Sequence, residues 1–423
     1  MWLVWFVFNS SLSFNLIFQV GILDFCKIFY SMKQIKVSAP GKVILFGEHA
    51  VVLGKTSIAT ALSLRTNATV EQIEEPVLHI LLPDLKDFGE RKYSLSDLSK
   101  LNSYNSINEI DCFVPRECNA EFLDALSQLE SIKGIQSVLF LFSVLSKLKH
   151  GIKIHFSSNL PMGAGLGSSA SFNVCLVTGI LSLFEIYACG GCDQCKKINS
   201  SSGTTNNVPC SKQLELINQW SLQGEKIMHG TPSGIDNAVS TYGSALTFTR
   251  KDGFKNLERI PPLRLLITDT RVSRSTKVLV ENVINRHKQY PSLIEPVAVL
   301  IDTISKECLQ AFDQYFNDHN DINQLQKTIE LMIDMNHSLL SGCFGVGHST
   351  LDMIASVSKR FDLHSKLTGA GGGGCAITLL KPSTDSETVN NLKSALKEHG
   401  FESWEATIGG QGVIIESSTN SSN

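Results

Sequence analysis

The sequence has almost no excess of charge of either sign. Its 423 residues include 37 Lys and Arg against 40 Asp and Glu, which gives a formal net charge of −3. Because nucleic-acid binding depends on a basic surface, this balance gives no indication of a nucleic-acid partner. Apolar residues make up 43% of the chain and charged residues 18%, which is typical of a soluble globular protein. The length suits two domains of ordinary size.

The 11 cysteines lack the regular spacing of a disulfide framework, and most are isolated, which indicates reduced thiols in a cytosolic protein. One group is different: Cys189, Cys192 and Cys195 follow a C-x₂-C-x₂-C pattern, with Cys210 further on. This spacing could hold zinc or an iron–sulfur cluster. Because Cys210 is distant and the intervening residues are rich in Ser, Thr and Asn, we expect an exposed, inert insertion instead, in which Cys192 is dispensable.

The first 23 residues carry no charge. An uncharged stretch of this length could span a bilayer, but polar residues such as Asn9, Ser10 and Ser11 interrupt it. It also lacks the Lys or Arg that opens a secretory signal. We interpret residues 1–31 as an extension outside the fold, with a membrane anchor as the alternative. Met32 opens a natural domain start, so a chain beginning there should be active and cytosolic.

Residues 160–170, Leu-Pro-Met-Gly-Ala-Gly-Leu-Gly-Ser-Ser-Ala, form the most informative stretch. They lack the Gly-Lys-Ser/Thr ending of a Walker A loop and the spacing of a dinucleotide-binding fingerprint. An alternating segment at 151–156 precedes them and an apolar run at 172–187 follows, which predicts a strand, a glycine loop and a helix. Such a loop can hold a phosphate against free N–H groups, and a Ser hydroxyl there can bind Mg²⁺. The alternative is a flexible turn before a buried helix.

Polar residues in an apolar setting mark a second stretch, residues 35–52. Pro40-Gly41 predicts a turn between two strands, after which Lys42, Glu48 and His49 interrupt apolar residues. Because an unpaired buried charge is costly, such residues are either paired or directed into a site. A surface hairpin with ordinary polar faces is the alternative.

Two further stretches contain candidate site residues. A predicted helix at 212–229 carries Glu225 in its last two turns, where the helix dipole disfavours a carboxylate, and Asp236 follows in a Pro/Gly-rich turn. Glu225 could instead face solvent beside Lys226, and Asp236 could be a local turn cap. Further on, five of the six residues from Gly369 to Gly374 are glycine, which is more than a turn requires.

Taken together, these stretches resemble the motifs of the GHMP kinases, in the order that the family has them, and the resemblance covers about residues 33–417. It implies a two-domain α+β fold. Residues 32–252 would form an ATP-binding domain with a mixed sheet, and residues 253–417 a ferredoxin-like domain. The Ser- and Asn-rich residues 418–423 are expected to form a disordered tail.

The resemblance also implies an activity, the ATP- and Mg²⁺-dependent phosphorylation of mevalonate to 5-phosphomevalonate in isoprenoid and sterol precursor synthesis. Asp236 would be the general base, with Lys42 beside it as a second catalytic residue. The implied metal ligands are Ser169 and Glu225. The implied nucleotide contacts are Lys42, Asp84, Ser158, Gly163, Ala164, Gly165, Leu166, Gly167, Ser168 and Ser169. The implied substrate contacts are Glu48, His49, Arg274, Thr276 and Ala370.

Other interpretations remain open at this point. A GHMP kinase for phosphomevalonate or galactose, or a catalytically silent sensor on the same fold, would share much of the pattern. The resemblance further implies a homodimer, feedback inhibition by prenyl diphosphates and a cytoplasmic location, with a peroxisomal one as the alternative.

Overall fold

The computed structural model describes residues 33–84, 89–101, 104, 111–161, 163–195, 207–317 and 321–416. The predicted extension at 1–31 and the predicted tail at 418–423 lie outside these residues. The strands, in chain order, are β1 Gln34–Phe46, β2 Ser57–Ile73, β3 Val77–Leu82, β4 Gly89–Ser94, β5 Gly151–Ser158, β6 Ala245–Thr249, β7 Gly253–Leu257, β8 Arg264–Asp269, β9 His364–Leu367, β10 Cys375–Leu380, β11 Glu402–Thr407 and β12 Ile414–Glu416.

Helices pack against the first sheet and against both faces of the second. They are α1 Leu95–Ser99, α2 Ala120–Leu129, α3 Lys133–Ser146, α4 Ser168–Leu183, α5 Ser211–His229, α6 Ile235–Tyr242, α7 Thr276–Gln289, α8 Pro291–Asn317, α9 Ile322–Ser338, α10 Ser349–Lys359 and α11 Ser386–Glu398. The described residues also include a 3₁₀ turn at Ala50–Leu53 and a π-helical turn at Leu339–Cys343.

Within the described residues, the first sheet has eight strands in the order β12-β1-β2-β5-β3-β4, with the β6–β7 hairpin paired to β2. Only the β3–β5 pair among these described strands is parallel. Helix α4 is apolar nearly all round and buried along most of its length, because it lies between this sheet and α5. Its burial fixes the glycine loop that precedes it.

The second sheet, as far as the structure describes the chain, has four antiparallel strands in the order β11-β8-β10-β9. Numbered along the chain, this is the order 4-1-3-2 of a ferredoxin-like sheet. A core of apolar side chains from α8 and α9, including Phe312 and Ile329, packs against it. The predicted α+β fold with a mixed sheet and a ferredoxin-like sheet is confirmed.

The structure differs from the sequence expectations at two places. Pro40-Gly41 is not a turn between two strands, because β1 continues through it with a bulge and stays paired with the 17-residue β2. The expected boundary near residue 252 falls inside the β6–β7 hairpin, so the chain leaves the first sheet only after Leu257, and β12 returns to pair with β1.

Within the part of the chain that the structure describes, no single helix has both the length and the apolarity needed to cross a membrane. The bent pair α2 and α3, which meet at an angle of 119°, has the required length and apolarity only when the two helices are counted together.

Candidate active site

The glycine loop lies between the end of β5 and the start of α4. Gly163, Gly165 and Gly167 have φ angles of 72°, 83° and 73°, a region that glycine adopts without strain. Gly167 is the N-cap of α4 and has no side chain to cap the first N–H groups of the helix. The loop therefore presents backbone donors and the positive end of the helix dipole, which is the arrangement that binds phosphate.

Lys42 and Asp236 form an ion pair beside this loop, with 3.1 Å between Lys42 Nζ and Asp236 Oδ1. The Lys42 backbone N–H donates to the Leu166 carbonyl oxygen at 2.8 Å, which fixes β1 against the loop. Lys42 is only 6% exposed, whereas the Asp236 side chain is 37% exposed. Asp236 lies in the first turn of α6, where the dipole favours a carboxylate. The pair thus combines a buried cation with a carboxylate that a ligand can reach.

Glu225, on α5, contacts the first turns of α4. Ser169 Oγ donates to Glu225 Oε2 at 3.1 Å, and Asn173 Nδ2 donates to Glu225 Oε1 at 2.9 Å. His229, four residues further along α5, approaches Ser169 Oγ at 3.1 Å. Burial, together with the negative charge of Asp236, raises the pKa of Glu225 to about 7.

These groups fit a hard divalent cation. A carboxylate and a hydroxyl oxygen lie within hydrogen-bond distance at a phosphate-binding loop, and Mg²⁺ prefers one or two such oxygen ligands together with phosphate oxygens. The raised pKa of Glu225 also favours a cation here. A buried carboxylate beside another carboxylate needs a positive charge nearby to stay ionised.

Arg274 connects the chain around α7 with the glycine loop. Its Nη2 donates to the Ala164 carbonyl oxygen at 2.9 Å. A Cβ atom on Gly165 would lie 2.3 Å from Nη2 of Arg274, and one on Gly374 would lie 1.9 Å from its guanidinium carbon. Both glycines are therefore required for close packing against the guanidinium group, and the glycine-rich stretch 369–374 meets the first glycine loop through Arg274.

His49 and Ala370 are brought together across the two sheets. The Ala370 carbonyl oxygen accepts a hydrogen bond from His49 Nε2 at 2.7 Å. Burial lowers the pKa of His49, so the ring is neutral at physiological pH and its other nitrogen, Nδ1, is an acceptor. Among the described residues, Nδ1 has no hydrogen-bond partner although it is buried.

Glu48, which was predicted to help shape the acceptor pocket, is held in a buried contact. Its carboxylate is fully buried, pairs with the Lys366 ammonium group and accepts from Asn336 Nδ2 at 3.0 Å. With both carboxylate oxygens hydrogen-bonded and the side chain fully buried, Glu48 holds neighbouring elements together. It joins the turn after β1 to β9 and α9.

The remaining predicted residues lie at the edges of the site. Asp84 Oδ2 accepts from the Ser158 backbone N–H at 2.8 Å, and Ser158 Oγ lies 3.0 Å from Thr66 Oγ1. These contacts support the end of β5, from which the glycine loop starts. Thr276 is exposed at the first position of α7, beside Ser275, whose hydroxyl caps that helix.

Sequence reasoning missed four residues of this region: Asn173, His229, Lys366 and Asn336. Two of them carried a usable signal. Asn173 is a polar residue in a buried helix four positions after Ser169, and His229 is four positions after Glu225, so each pair shares a helix face. Lys366 and Asn336 carried none, since their partner Glu48 is about 300 residues away in the sequence.

Two family models match the chain. The GHMP kinases N terminal domain matches residues 135–244, and the GHMP kinases C terminal model matches residues 309–402. The chain is 57% identical over 382 residues to a mevalonate kinase of Dictyostelium discoideum, an alignment that covers 90% of this chain and 96% of the relative. It is 38% identical to the human mevalonate kinase, with 91% and 95% covered.

Solved structures support the same fold. The L. major mevalonate kinase in complex with R-mevalonate aligns with a TM-score of 0.64 at 21% identity, covering 90% of this chain and 98% of that one. A Lactococcus lactis galactokinase complexed with galactose aligns with a TM-score of 0.60 at 16% identity, covering 94% and 99%. At these identities the likeness concerns the fold alone, and the sequence relatives discriminate between the enzymes that share it.

Proposed function

The chain belongs to the GHMP kinase family and, within it, to the mevalonate kinases; from this premise we propose that the site described above transfers the γ-phosphoryl group of ATP to the 5-hydroxyl group of mevalonate. The observation that carries the assignment of the site is the Lys42–Asp236 pair at 3.1 Å, beside a glycine loop and a buried Ser169–Glu225 pair. It combines a proton acceptor, a fixed cation and a phosphate cradle.

Asp236 acts as the general base. As the hydroxyl oxygen forms its bond to the γ-phosphorus, the bond from that phosphorus to the bridging oxygen breaks, ADP leaves, and the hydroxyl proton passes to the Asp236 carboxylate. The half-exposed position of Asp236 allows this contact. Lys42 holds the carboxylate in place and offsets negative charge on the reacting oxygens.

The loop from Gly163 to Ser169 holds the phosphates of ATP through its backbone N–H groups, since phosphoryl transfer depends mainly on positioning and charge neutralisation. Ser169 and Glu225 would hold Mg²⁺, with Asn173 orienting the Glu225 carboxylate. Bound there, Mg²⁺ supplies positive charge to the phosphate oxygens. Ser158 and Asp84 support the nucleotide side of the loop.

Mevalonate, the phosphoryl acceptor, lies between Asp236 and the glycine-rich stretch 369–374. Neutral His49 accepts a hydrogen bond from a hydroxyl group of mevalonate through Nδ1, because Nε2 already donates to the Ala370 carbonyl oxygen. Arg274 faces the acid group of mevalonate, for which a guanidinium is well suited. Thr276 stands next to it at the start of α7.

Properties beyond the reaction follow from the family resemblance. We propose a homodimeric enzyme of the cytoplasm. Prenyl diphosphates would inhibit it at the glycine loop, because a diphosphate group can use the same backbone donors as the phosphates of ATP.

An acceptor screen tests the proposed function. Purified protein is incubated with ATP and Mg²⁺, and ADP release is measured with mevalonate, phosphomevalonate, galactose or homoserine. We expect release with mevalonate and only background with the other three. Preferred turnover of any other acceptor, or no release with all four, would overturn the assignment.

A further inference from the structure

Four cysteines outside the active site form a compact cluster. Cys189, Cys192 and Cys195 lie on the connection between α4 and α5, and Cys210 is the N-cap residue of α5. Their four Sγ atoms all lie within 4.8 Å of one another. Cys195 is completely buried and the other three are half-buried. The expectation of a loose, exposed insertion is therefore wrong for these residues, because the chain returns and places Cys210 beside the first three.

The first half of the cluster is a tight turn. Gly190 and Gly191 both have positive φ angles, 67° and 78°, a combination that requires glycine. The turn directs the Cys192 backbone N–H to Cys189 Sγ at 3.3 Å. One helical turn then brings Cys195 back to the same side. A C-x₂-C turn with a backbone N–H directed at sulfur presents two thiolates to one ion.

The second half is held against the first by side-chain amides. Gln194 Nε2 donates to the Val208 carbonyl oxygen at 2.9 Å, which joins the two segments that carry the cysteines. From the first turns of α5, buried Gln213 accepts from the Ala188 backbone N–H at 2.8 Å and donates to the Ile186 carbonyl oxygen at 3.0 Å. Cys210 occupies the N-cap position of the 19-residue α5, so the start of that helix fixes its place beside the other three cysteines.

We propose that Cys189, Cys192, Cys195 and Cys210 bind one Zn²⁺ ion in a tetrahedral site made of four thiolates. Zinc–sulfur bonds of about 2.3 Å in tetrahedral geometry place sulfur atoms roughly 3.8 Å apart, so these side chains need only a small inward movement. A four-iron cluster places each cysteine sulfur on a different iron atom, and this group of sulfurs is too compact for that arrangement. A closed set of four thiolates is the ligand set of structural zinc.

The site would stabilise the fold and take no part in the reaction. Four protein ligands leave no position for a substrate, and Glu225 lies 15 residues beyond Cys210 on α5, roughly 22 Å along the helix axis. By closing the loop from Cys189 to Cys210, the ion would fasten the start of the helix that carries Glu225.

Metal analysis tests this proposal without depending on the phosphoryl-transfer activity. The full chain is isolated under reducing conditions, dialysed against a weak chelator and assayed for zinc and iron by mass spectrometry. We expect one zinc per chain in the native protein and at least a tenfold loss in Cys192→Ser and in Cys195→Ser. Cys343→Ser is the matched control, because Cys343 is an exposed cysteine far along the chain, and it should retain the zinc.

Two further measurements keep the test decisive if Cys195→Ser fails to fold. Replacement of zinc by cobalt in the native protein should give the thiolate charge-transfer and d–d bands of tetrahedral Co²⁺, and these should be lost in Cys192→Ser. Chelation of the native protein should lower its Tm by several degrees, and added Zn²⁺ should restore it. Native protein without zinc, zinc retained by Cys192→Ser, iron in place of zinc, or disulfides among these cysteines under reducing conditions would each overturn the proposal.

Discussion

The Glu225→Gln substitution is expected to stabilise the metal-free protein while it impairs catalysis. Glu225 is 3% exposed, and burial together with the charge of Asp236 raises its pKa from 4.5 to about 7. Glutamine keeps the shape and still accepts the hydrogen bond from Asn173, and its amide can bond to Ser169 in place of the carboxylate. The substitution therefore removes a buried negative charge without leaving a cavity.

The sign and size of the effect follow from proton linkage. Because the folded-state pKa is raised, the folded chain keeps a proton between pH 4.5 and about 7 that the unfolded chain has released. The stability due to the protonated Glu225 is fully present below pH 4.5 and is lost as the pH rises through about 7. The difference between a pKa of 4.5 and one of about 7 corresponds to about 3 kcal/mol. Glu225→Gln should thus gain about 3 kcal/mol over the native protein at about pH 8.5 and little at about pH 4.5.

Urea unfolding followed by circular dichroism in the presence of EDTA measures this difference at several pH values. The native protein should lose stability relative to Glu225→Gln as the pH rises, and Mg²⁺ should reduce the gap because it binds only the folded carboxylate. A glutamine variant that is less stable than the native protein at high pH, or a gap that does not change with pH, would refute the reasoning.

Two further predictions concern the contacts that join the two sheets. Lys366→Met should lower the free energy of unfolding by about 3–5 kcal/mol, because it leaves the buried Glu48 carboxylate unpaired. The double variant Glu48→Gln/Lys366→Met should lose less stability, since it removes that charge as well. An equal loss in the double variant would contradict this. Gly374→Ala should raise KM for mevalonate roughly tenfold by displacing the guanidinium of Arg274 from the Ala164 carbonyl oxygen. Gly400→Ala is its control, since Gly400 has a similar positive φ of 84° and open space around it. A matching rise in KM in Gly400→Ala would argue against the role of Arg274.

Local sequence patterns predicted the regular elements well. The strand predicted at 151–156 lies within β5, Gly151–Ser158, and the helix predicted at 212–229 begins one residue earlier, at Ser211. Alternation, helical periodicity and flanking turn residues are properties of adjacent residues, so a single sequence contains them. The glycine stretches were also recognisable, because an excess of glycine is visible without any knowledge of what packs against it.

Features that depend on distant pairing could not be predicted in this way. Pro40-Gly41 has the chemistry of a turn, but β2 is long enough to pair on both sides of it, and the strand continues with a bulge. Glu48 had the sequence context of a site residue, while its partner Lys366 lies 318 residues away. Cys210 is separated from the other three cysteines by a polar stretch of sequence, and only the fold brings the four together.

The steady-state rate of Asp236→Asn is the most direct measurement of the central claim, that Asp236 is the base of a phosphoryl transfer to mevalonate. The change is isosteric, and Asp252→Asn on the exposed β6–β7 hairpin serves as the matched control. We expect kcat for ADP release with mevalonate to fall by roughly 10²–10⁴ in Asp236→Asn, while nucleotide binding stays close to that of the native protein and the control is fully active. Near-native turnover by Asp236→Asn would contradict the account.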